Sequence, residues 1–189
     1  MPVNRHFRRM LTCRRRLPHK FPEGKWIFAT WHLHGSLPQA KYPPAGKMSA
    51  GEAFVWIDRH LNTTRRGPMY LKQDRTVKIV ADSLFRGAEL GHYDLGPWVI
   101  MSNHIHVLLL PKIAPPKLFR ALGRTGNPFW QGESYDCWVR DGEFKRIANY
   151  IENNPVKAGL VARPEDYRWS SANTAANLDA GRSARATVA

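Results

Sequence analysis

The chain has 189 residues and carries 29 Lys and Arg residues against 15 Asp and Glu residues, so its net charge is +14 at pH 7. Hydrophobic residues make up 43% of the chain, which is enough for a folded core in one domain and excludes a disordered polycation. A positive excess this large favours a polyanionic partner, with nucleic acid as the first candidate and an anionic membrane surface as the second.

A basic arm is predicted over residues 1–24, before the first apolar run. Half of the net charge lies on residues 1–20, which hold seven Lys or Arg residues and no acidic residue, and the densest part is Arg14, Arg15 and Arg16. Such an arm either binds nucleic acid or is a solvated leader, and both alternatives stay open. No apolar run follows the arginines as in a secretory signal, so we expect a cytoplasmic protein.

Two further classes of protein are excluded. No apolar stretch is long enough to span a bilayer, so no membrane partner is expected. Cys13 and Cys137 are the only cysteines, and neither belongs to a CxxC pair. The chain therefore offers neither a disulfide framework nor a cysteine-based zinc site.

The first half of the chain is predicted to contain one strand and two helices. Aromatic and β-prone residues predict a strand over Lys25 to Leu33 that is buried on both faces. A loop rich in proline and glycine follows over residues 35–51. Apolar residues at helical spacing then predict helices over Ala53 to Leu61 and over Asp74 to Leu90.

The second half begins with a predicted β-hairpin. The apolar runs His92 to Met101 and His104 to Leu110 flank two polar residues, which is typical of a tight antiparallel hairpin. Three further elements are predicted after it: a short basic helix over 117–122, an edge strand over 134–140 and a helix over 143–153. This order predicts an α+β sandwich over residues 25–172, with helices on one face of a mainly antiparallel sheet. Residues 173–189 are predicted to be a loose tail.

Two histidines are placed to bind one metal ion. His104 and His106 lie two residues apart on a predicted strand, so both imidazoles project from the same face. That arrangement suits two ligands of one divalent ion, and two buried histidines with ordinary hydrogen bonds are the alternative. His32 and His34 have the same spacing at the end of the first strand, and spacing alone does not separate the two pairs.

Tyr150 lies on the last predicted helix, at the side of its apolar face. Tyr150 and Asn154 lie one helical turn apart on one flank of the apolar face. Pro155 biases Asn154 away from helical geometry, so this shared flank is approximate. The alternative role for Tyr150 is to cover the edge of the core with its hydroxyl group in water.

Cations and aromatic residues alternate in the last third of the chain. Aromatic rings stack on unpaired bases and cations follow the phosphate backbone, so this composition favours a single-stranded nucleic acid as the ligand. Core tryptophans with a basic rim are the alternative. The candidate DNA-binding residues in this part are Arg124, Trp130, Arg140, Lys145, Arg146, Lys157 and Arg168.

Six sequence blocks, in this order, resemble the REP-associated tyrosine transposases of bacteria, a group within the single-tyrosine HUH transposases. The blocks are GSLP (35–38), WVIMSNHIHVLLLP (98–111), GRTGNPFWQ (123–131), ESYDCWVRD (133–141), YIENNPVKAGLV (150–161) and WSSA (169–172). Together they extend the resemblance over most of residues 25–172.

The resemblance implies a ferredoxin-like fold and a metal-dependent enzyme that cuts and rejoins single-stranded DNA near DNA hairpins. The nucleophile of the family falls on Tyr150, and its histidine pair falls on His104 and His106. The third metal ligand of the family falls on Asn154, and Mg²⁺ or Mn²⁺ is the expected ion. His32 falls where relatives often have a basic residue, so the resemblance implies a DNA contact there.

The resemblance also implies a reaction and a place for it. Attack of the tyrosine on phosphorus would leave a 5′-phosphotyrosine link and a free 3′-hydroxyl, and a bound cation would offset the charge of the transition state. The protein is expected in the bacterial cytoplasm, with the nucleoid when it is bound to DNA, as a monomer or a homodimer. Relatives usually carry a longer basic helix where this chain has only residues 115–122. An inactive DNA- or RNA-binding relative is therefore the alternative.

Overall fold

The computed structural model describes residues 22–38, 48–113, 129–132 and 135–175. Its strands and helices are β1 (Ile27–His32), α1 (Ala50–Thr63), α2 (Asp74–Glu89), β2 (Tyr93–Ile100), β3 (His104–Pro111), β4 (Tyr135–Trp138), α3 (Phe144–Glu152) and α4 (Asn154–Lys157), with 3₁₀ helices at Tyr70–Lys72 and Pro164–Asp166. The predicted basic arm to residue 21, the helix over 117–122 and the tail beyond residue 175 lie outside the described residues. None of the described helices combines the length and the apolar character needed to cross a membrane.

The four strands form one antiparallel sheet in the order β2-β3-β1-β4. β2 and β3 form the predicted hairpin, whose turn is closed by the Met101 amide donating to the carbonyl of His104 at 2.8 Å. β1 then pairs with the other side of β3, so that His32 faces His104. β4 lies at the edge of the sheet, as the sequence predicted. This is the strand order of a ferredoxin-like sheet, and the predicted α+β class is confirmed.

The helices cover both faces of the sheet, so the prediction of helices on one face is wrong. α2 packs its Val77 against the face that carries Trp31. α1 and α3 pack Phe54 and Ile147 against the opposite face, beside Phe28. The physical reason is that every residue of β1 is buried, so neither face of this central strand can be left to water.

The start of α1 is fixed by a capping box. The Ser49 side chain accepts a hydrogen bond from the Glu52 amide at 3.3 Å, and the Glu52 carboxylate accepts one from the Ser49 amide at 2.8 Å. Further along the helix, Ile57 and Leu61 are buried in a small cluster. These contacts set the rotation of α1, and they direct Asp58 towards the sheet.

Gly87 allows α2 to lie close to β2. A Cβ atom at Gly87 would lie 2.7 Å from two ring carbons of Tyr93, a fully buried residue whose hydroxyl donates to the Leu84 carbonyl at 2.7 Å. We expect Gly87→Ala to lower the free energy of unfolding by about 1–3 kcal/mol, because the ring cannot yield without losing this bond. Urea unfolding measures the effect. Gly51→Ala, in a helix position where a Cβ meets nothing within 4 Å, is the matched control. An unchanged midpoint for Gly87→Ala would contradict the prediction.

Candidate active site

The candidate site lies on the sheet face that α1 and α3 cover. His104 and His106 project from β3 on this face, and the centroids of their rings are 4.7 Å apart. Both side chains are fully buried. Thr30 and His32 project from the neighbouring strand β1 on the same face, each directly opposite one of the two histidines.

Asp58 on α1 completes a cluster of three side chains that could hold a metal ion. Its Oδ1 atom lies 2.9 Å from Nε2 of His106 and 3.9 Å from Nε2 of His104. One ligand atom from each of the three residues lies within 4.8 Å of the others. Asp58 was missed in the sequence because the local pattern does not give the rotation of α1 relative to the sheet. The available signal was its spacing of one helical turn from Phe54 on the buried side.

A hydrogen bond at Nδ1 orients each imidazole. Nδ1 of His106 lies 2.7 Å from the hydroxyl of Thr30. Nδ1 of His104 donates to Oδ1 of Asn103 at 2.7 Å, because the Asn103 amide group itself donates to the Leu61 carbonyl at 3.1 Å. These contacts fix the ring planes and leave both Nε2 atoms directed at Asp58, as outer hydrogen bonds do around metal-binding histidines.

The carboxylate of the cluster is ionised. Burial, together with the neighbouring His106, lowers the pKa of His104 well below 6.5, so its ring is neutral. Burial alone would raise the pKa of Asp58, but the hydrogen bond with His106, together with the electrostatic effect of the neighbouring histidines, lowers it to about 2. An ionised carboxylate beside a neutral imidazole is a suitable environment for a cation.

Tyr150 lies next to this cluster. Its ring centroid is 5.6 Å from that of His106, and the side-chain amide of Asn154 lies 3.4 Å from its hydroxyl oxygen. Burial, and then the negative charge of Asp58, raise the pKa of Tyr150 far above its usual value of 10, so the hydroxyl group is neutral. The tyrosine and the three clustered side chains all come from one chain.

The donor set fits a divalent metal ion. Two fully buried acceptor atoms, Nε2 of His104 and Oδ1 of Asn154, have no hydrogen-bond partner among the described residues. A buried polar atom without a partner costs about 1–3 kcal/mol, and a bound cation would offset that cost at His104 directly. Imidazole, carboxylate and amide donors suit Mn²⁺, and Mg²⁺ is less well matched to imidazole.

Lys157 and the aromatic residues complete the surroundings of Tyr150. Nζ of Lys157 lies 4.4 Å from the centroid of the Tyr150 ring, in the geometry of a cation–π contact. Phe28 and Phe54 pack against the ring edge at centroid distances of 6.1 and 5.7 Å. Lys157 is therefore a predicted DNA-binding residue that the fold brings into contact with the candidate nucleophile.

The other predicted DNA-binding residues are spread more widely. Arg140, Lys145 and Arg146 are exposed near the start of α3, where Arg146 forms an ion pair with Glu143 at 2.7 Å. The guanidinium group of Arg168 lies over the Trp169 ring, 4.9 Å from its centroid, and Trp130 packs with the core on the α2 face. Four further predicted residues lie outside the described residues: Arg14, Arg15, Arg16 and Arg124.

His32 is buried, with only 4% of its surface exposed. Its Nδ1 atom lies 2.9 Å from the hydroxyl of Ser36. Burial lowers its pKa to about 4, so the ring is neutral at physiological pH. The DNA contact implied by the resemblance stays a prediction, and it would need the ring to leave this pocket.

The stability of the protein is expected to fall as the pH drops below 6.5. An unfolded imidazole titrates near 6.5, whereas burial lowers the folded pKa of His32 to about 4 and that of His104 also well below 6.5. The unfolded chain therefore binds more protons in this range, at a cost of up to about 1.4 kcal/mol per pH unit for each histidine. Urea unfolding on both sides of pH 6.5 measures the slope, and His32→Asn should reduce it. A flat profile would mean that both rings accept protons in the folded state.

No protein-family model matches the chain, and no curated protein matches it either. Among solved structures, a REP-associated tyrosine transposase bound to a REP hairpin is similar to it, with a TM-score of 0.51. The two sequences are 17% identical, and the similarity covers 81% of this chain and 79% of that one. That protein belongs to the group that the six sequence blocks resemble, and the chain shares its fold.

Proposed function

We propose that the chain is a metal-dependent endonuclease and strand transferase of the transposase type, which acts on single-stranded DNA near DNA hairpins. The observation that carries this proposal is the assembly of Tyr150 with Asp58, His104 and His106 in one chain. A net charge of +14 and a fold shared with a transposase whose structure contains a REP hairpin support DNA as the substrate.

The reaction transfers one phosphodiester bond to the protein. The Tyr150 oxygen attacks the scissile phosphorus, the bond from phosphorus to the 3′-oxygen breaks, and the tyrosine proton is balanced by the proton that the 3′-hydroxyl gains. The product is a 5′-phosphotyrosine link, which stores the bond for rejoining without ATP. The negative charge of Asp58 keeps the Tyr150 hydroxyl group protonated. A positive charge close to Asp58 is therefore needed before Tyr150 becomes a good nucleophile.

Four side chains of this chain would hold the metal ion: Asp58, His104, His106 and Asn154. When it is bound, Mn²⁺ or Mg²⁺ polarises the scissile phosphate and offsets negative charge. The contacts that Thr30 and Asn103 make with the histidines keep both Nε2 atoms directed at Asp58, so that all three side chains could bind one ion. Because all of these groups belong to one chain, a monomer suffices for catalysis in this proposal, and a homodimer would contain two complete sites.

Binding of the DNA backbone is assigned to exposed cations around α3. Lys157 beside the tyrosine ring is placed to bind a phosphate close to the reacting one. Further contacts are proposed for Arg140, Lys145, Arg146, Arg168, Trp130, Arg124, His32 and the arm residues Arg14, Arg15 and Arg16. Such an enzyme would work in the bacterial cytoplasm, where it associates with the nucleoid through DNA.

The proposal is tested by covalent capture. The protein is incubated with labelled single-stranded DNA that contains a hairpin, with Mn²⁺ or Mg²⁺, and the mixture is denatured in SDS. A protein–DNA adduct that survives SDS and requires the metal ion is the expected result. DNA binding without any adduct, across a set of hairpins, would reject catalysis and favour the inactive nucleic-acid-binding relative that the short segment over 115–122 suggests.

A further inference from the structure

A small cavity of mixed polar and apolar lining lies beside the metal-ligand cluster, next to the turn between β2 and β3. The end of α1 contributes Asn62 and Arg65 to its wall, and the 3₁₀ helix contributes Lys72. The turn contributes Asn103 and His104. The cavity has a volume of about 40 Å³, which suits a small polar group rather than a base. It therefore reaches the histidine cluster from a side that none of the predicted DNA-binding residues lines.

The mouth of this cavity is positively charged. Arg65 and Lys72 are both exposed, and neither forms an ion pair with any residue that the structure describes. The surrounding stretch over 59–73 contains four Lys or Arg residues and no acidic residue. Two exposed cations without an ion-pair partner at the mouth of this cavity favour an anion such as a phosphate group.

An exposed aromatic ring lies next to these cations in the chain. Tyr70 belongs to the same 3₁₀ helix as Lys72, and 54% of its surface is exposed. Leu160, which lines the cavity from the segment after α4, is 41% exposed. Cations that follow a backbone, together with an exposed ring for a base, are the composition of a single-strand binding surface.

We propose that the segment over 62–72 forms a second subsite for the DNA strand, in which Arg65 and Lys72 bind a backbone phosphate near the scissile one and Tyr70 stacks on an adjoining base. The subsite rests on the proposed function for the identity of its ligand, a single DNA strand. The cavity wall contains His104, so a phosphate held at its mouth lies close to the metal-ligand cluster. The strand is then held on two sides of that cluster, by Lys157 and by this segment.

The test measures binding alone, in the full chain with the Tyr150→Phe substitution, so that it does not depend on cleavage. The probe is a fluorescent DNA hairpin with single-stranded arms of about ten nucleotides. We expect Arg65→Ala with Lys72→Ala to weaken binding by about tenfold or more. We also expect these substitutions to reduce the slope of log affinity against log salt by about 0.7, the value for one phosphate on a single strand.

Two further variants separate this subsite from a general charge effect. Arg86→Ala with Lys112→Ala removes the same charge from exposed residues that already have acidic partners, and it should leave the salt slope unchanged. Tyr70→Ala should lower affinity without changing the slope, because stacking releases no counterions. An unchanged slope for Arg65→Ala with Lys72→Ala, or an equal drop for the control pair, would overturn the proposal.

A scan of the DNA locates the phosphate. One linkage at a time is replaced by an uncharged methylphosphonate, and affinity is measured for the Tyr150→Phe protein with and without the Arg65 and Lys72 substitutions. At one linkage near the cleavage site, we expect the methylphosphonate to lower the affinity of the Tyr150→Phe protein. It should not lower the affinity of the protein that also carries the Arg65 and Lys72 substitutions. A scan with no such linkage would reject the subsite. If the subsite responds as expected but the unsubstituted chain forms no covalent adduct, the proposed catalysis fails and the subsite stands as part of a binding protein.

Discussion

Tyr150→Phe is expected to abolish the covalent protein–DNA adduct while folding and DNA binding are retained. The variant loses only the hydroxyl group, which accepts a long hydrogen bond from Asn154 at 3.4 Å and also interacts with the Asp58 carboxylate. The ring keeps its packing against Phe28 and Phe54 and its contact with Lys157. Stability should therefore change by no more than about 3 kcal/mol, the upper value for a hydrogen bond to a charged group. Removal of a nucleophile should reduce adduct formation by a factor on the order of 10⁴ or more.

The matched control for this prediction is Tyr135→Phe. Tyr135 packs in the same aromatic group, with its ring centroid 4.5 Å from that of Phe54, and burial raises its pKa as well. The control loses an equivalent hydroxyl group but should keep the adduct. Labelled DNA that comigrates with the protein after SDS gives the measurement for both variants. An adduct that persists in Tyr150→Phe, or that disappears equally in Tyr135→Phe, would show that another residue is the nucleophile.

Asp58→Asn is expected to weaken Mn²⁺ binding by at least about 100-fold and to reduce cleavage in parallel. Asp58 is the carboxylate of the described ligand cluster, and its low pKa keeps it charged at any working pH. Asparagine has the same shape and can still bond to His106, so the loss reports charge rather than packing. The substitution should also lower the pKa of Tyr150, because the negative charge of Asp58 favours the neutral hydroxyl.

Titration calorimetry with Mn²⁺ measures the first effect, and an ultraviolet titration of the tyrosines measures the second. Asp82→Asn is the control, since Asp82 is paired with Lys78 on α2, which lies over the other face of the sheet. His106→Ala should likewise lose cleavage but keep DNA binding. If Asp58→Asn binds Mn²⁺ as tightly as the unsubstituted chain, Asp58 is only a hydrogen-bond partner of His106.

The strands and helices were largely predictable because their signals are local. The hairpin between β2 and β3 follows from two apolar runs around two polar residues, and α2 begins at Asp74 as its apolar spacing predicts. The prediction for α1 was short by three residues at its start, although the capping box of Ser49 and Glu52 was present in the sequence. The two-sided placement of the helices depends on which surfaces meet in three dimensions, and no local pattern encodes that choice.

The candidate site was likewise predictable only where its residues follow a local pattern. The common face of His104 and His106 follows from strand alternation, and the contact of Tyr150 with Asn154 follows from helical spacing. Asp58 could not be identified by either rule, because its role depends on how α1 is rotated against β3. Nor could the cavity beside Arg65 be identified, since it forms only where three separate segments meet.

The ligand cluster is shared between a helix and the sheet, and this links metal binding to the packing of the helix on the sheet. His104 and His106 are fixed to a central strand, whereas Asp58 belongs to α1, whose other contacts include a small cluster around Ile57 and Leu61. A cation bound by both elements would hold α1 against the sheet. The free energy of metal binding would then add to the free energy with which α1 packs on the sheet. Metal occupancy and the order of α1 would therefore rise together. In the absence of the ion, the protein would lose rigidity first around its own active site.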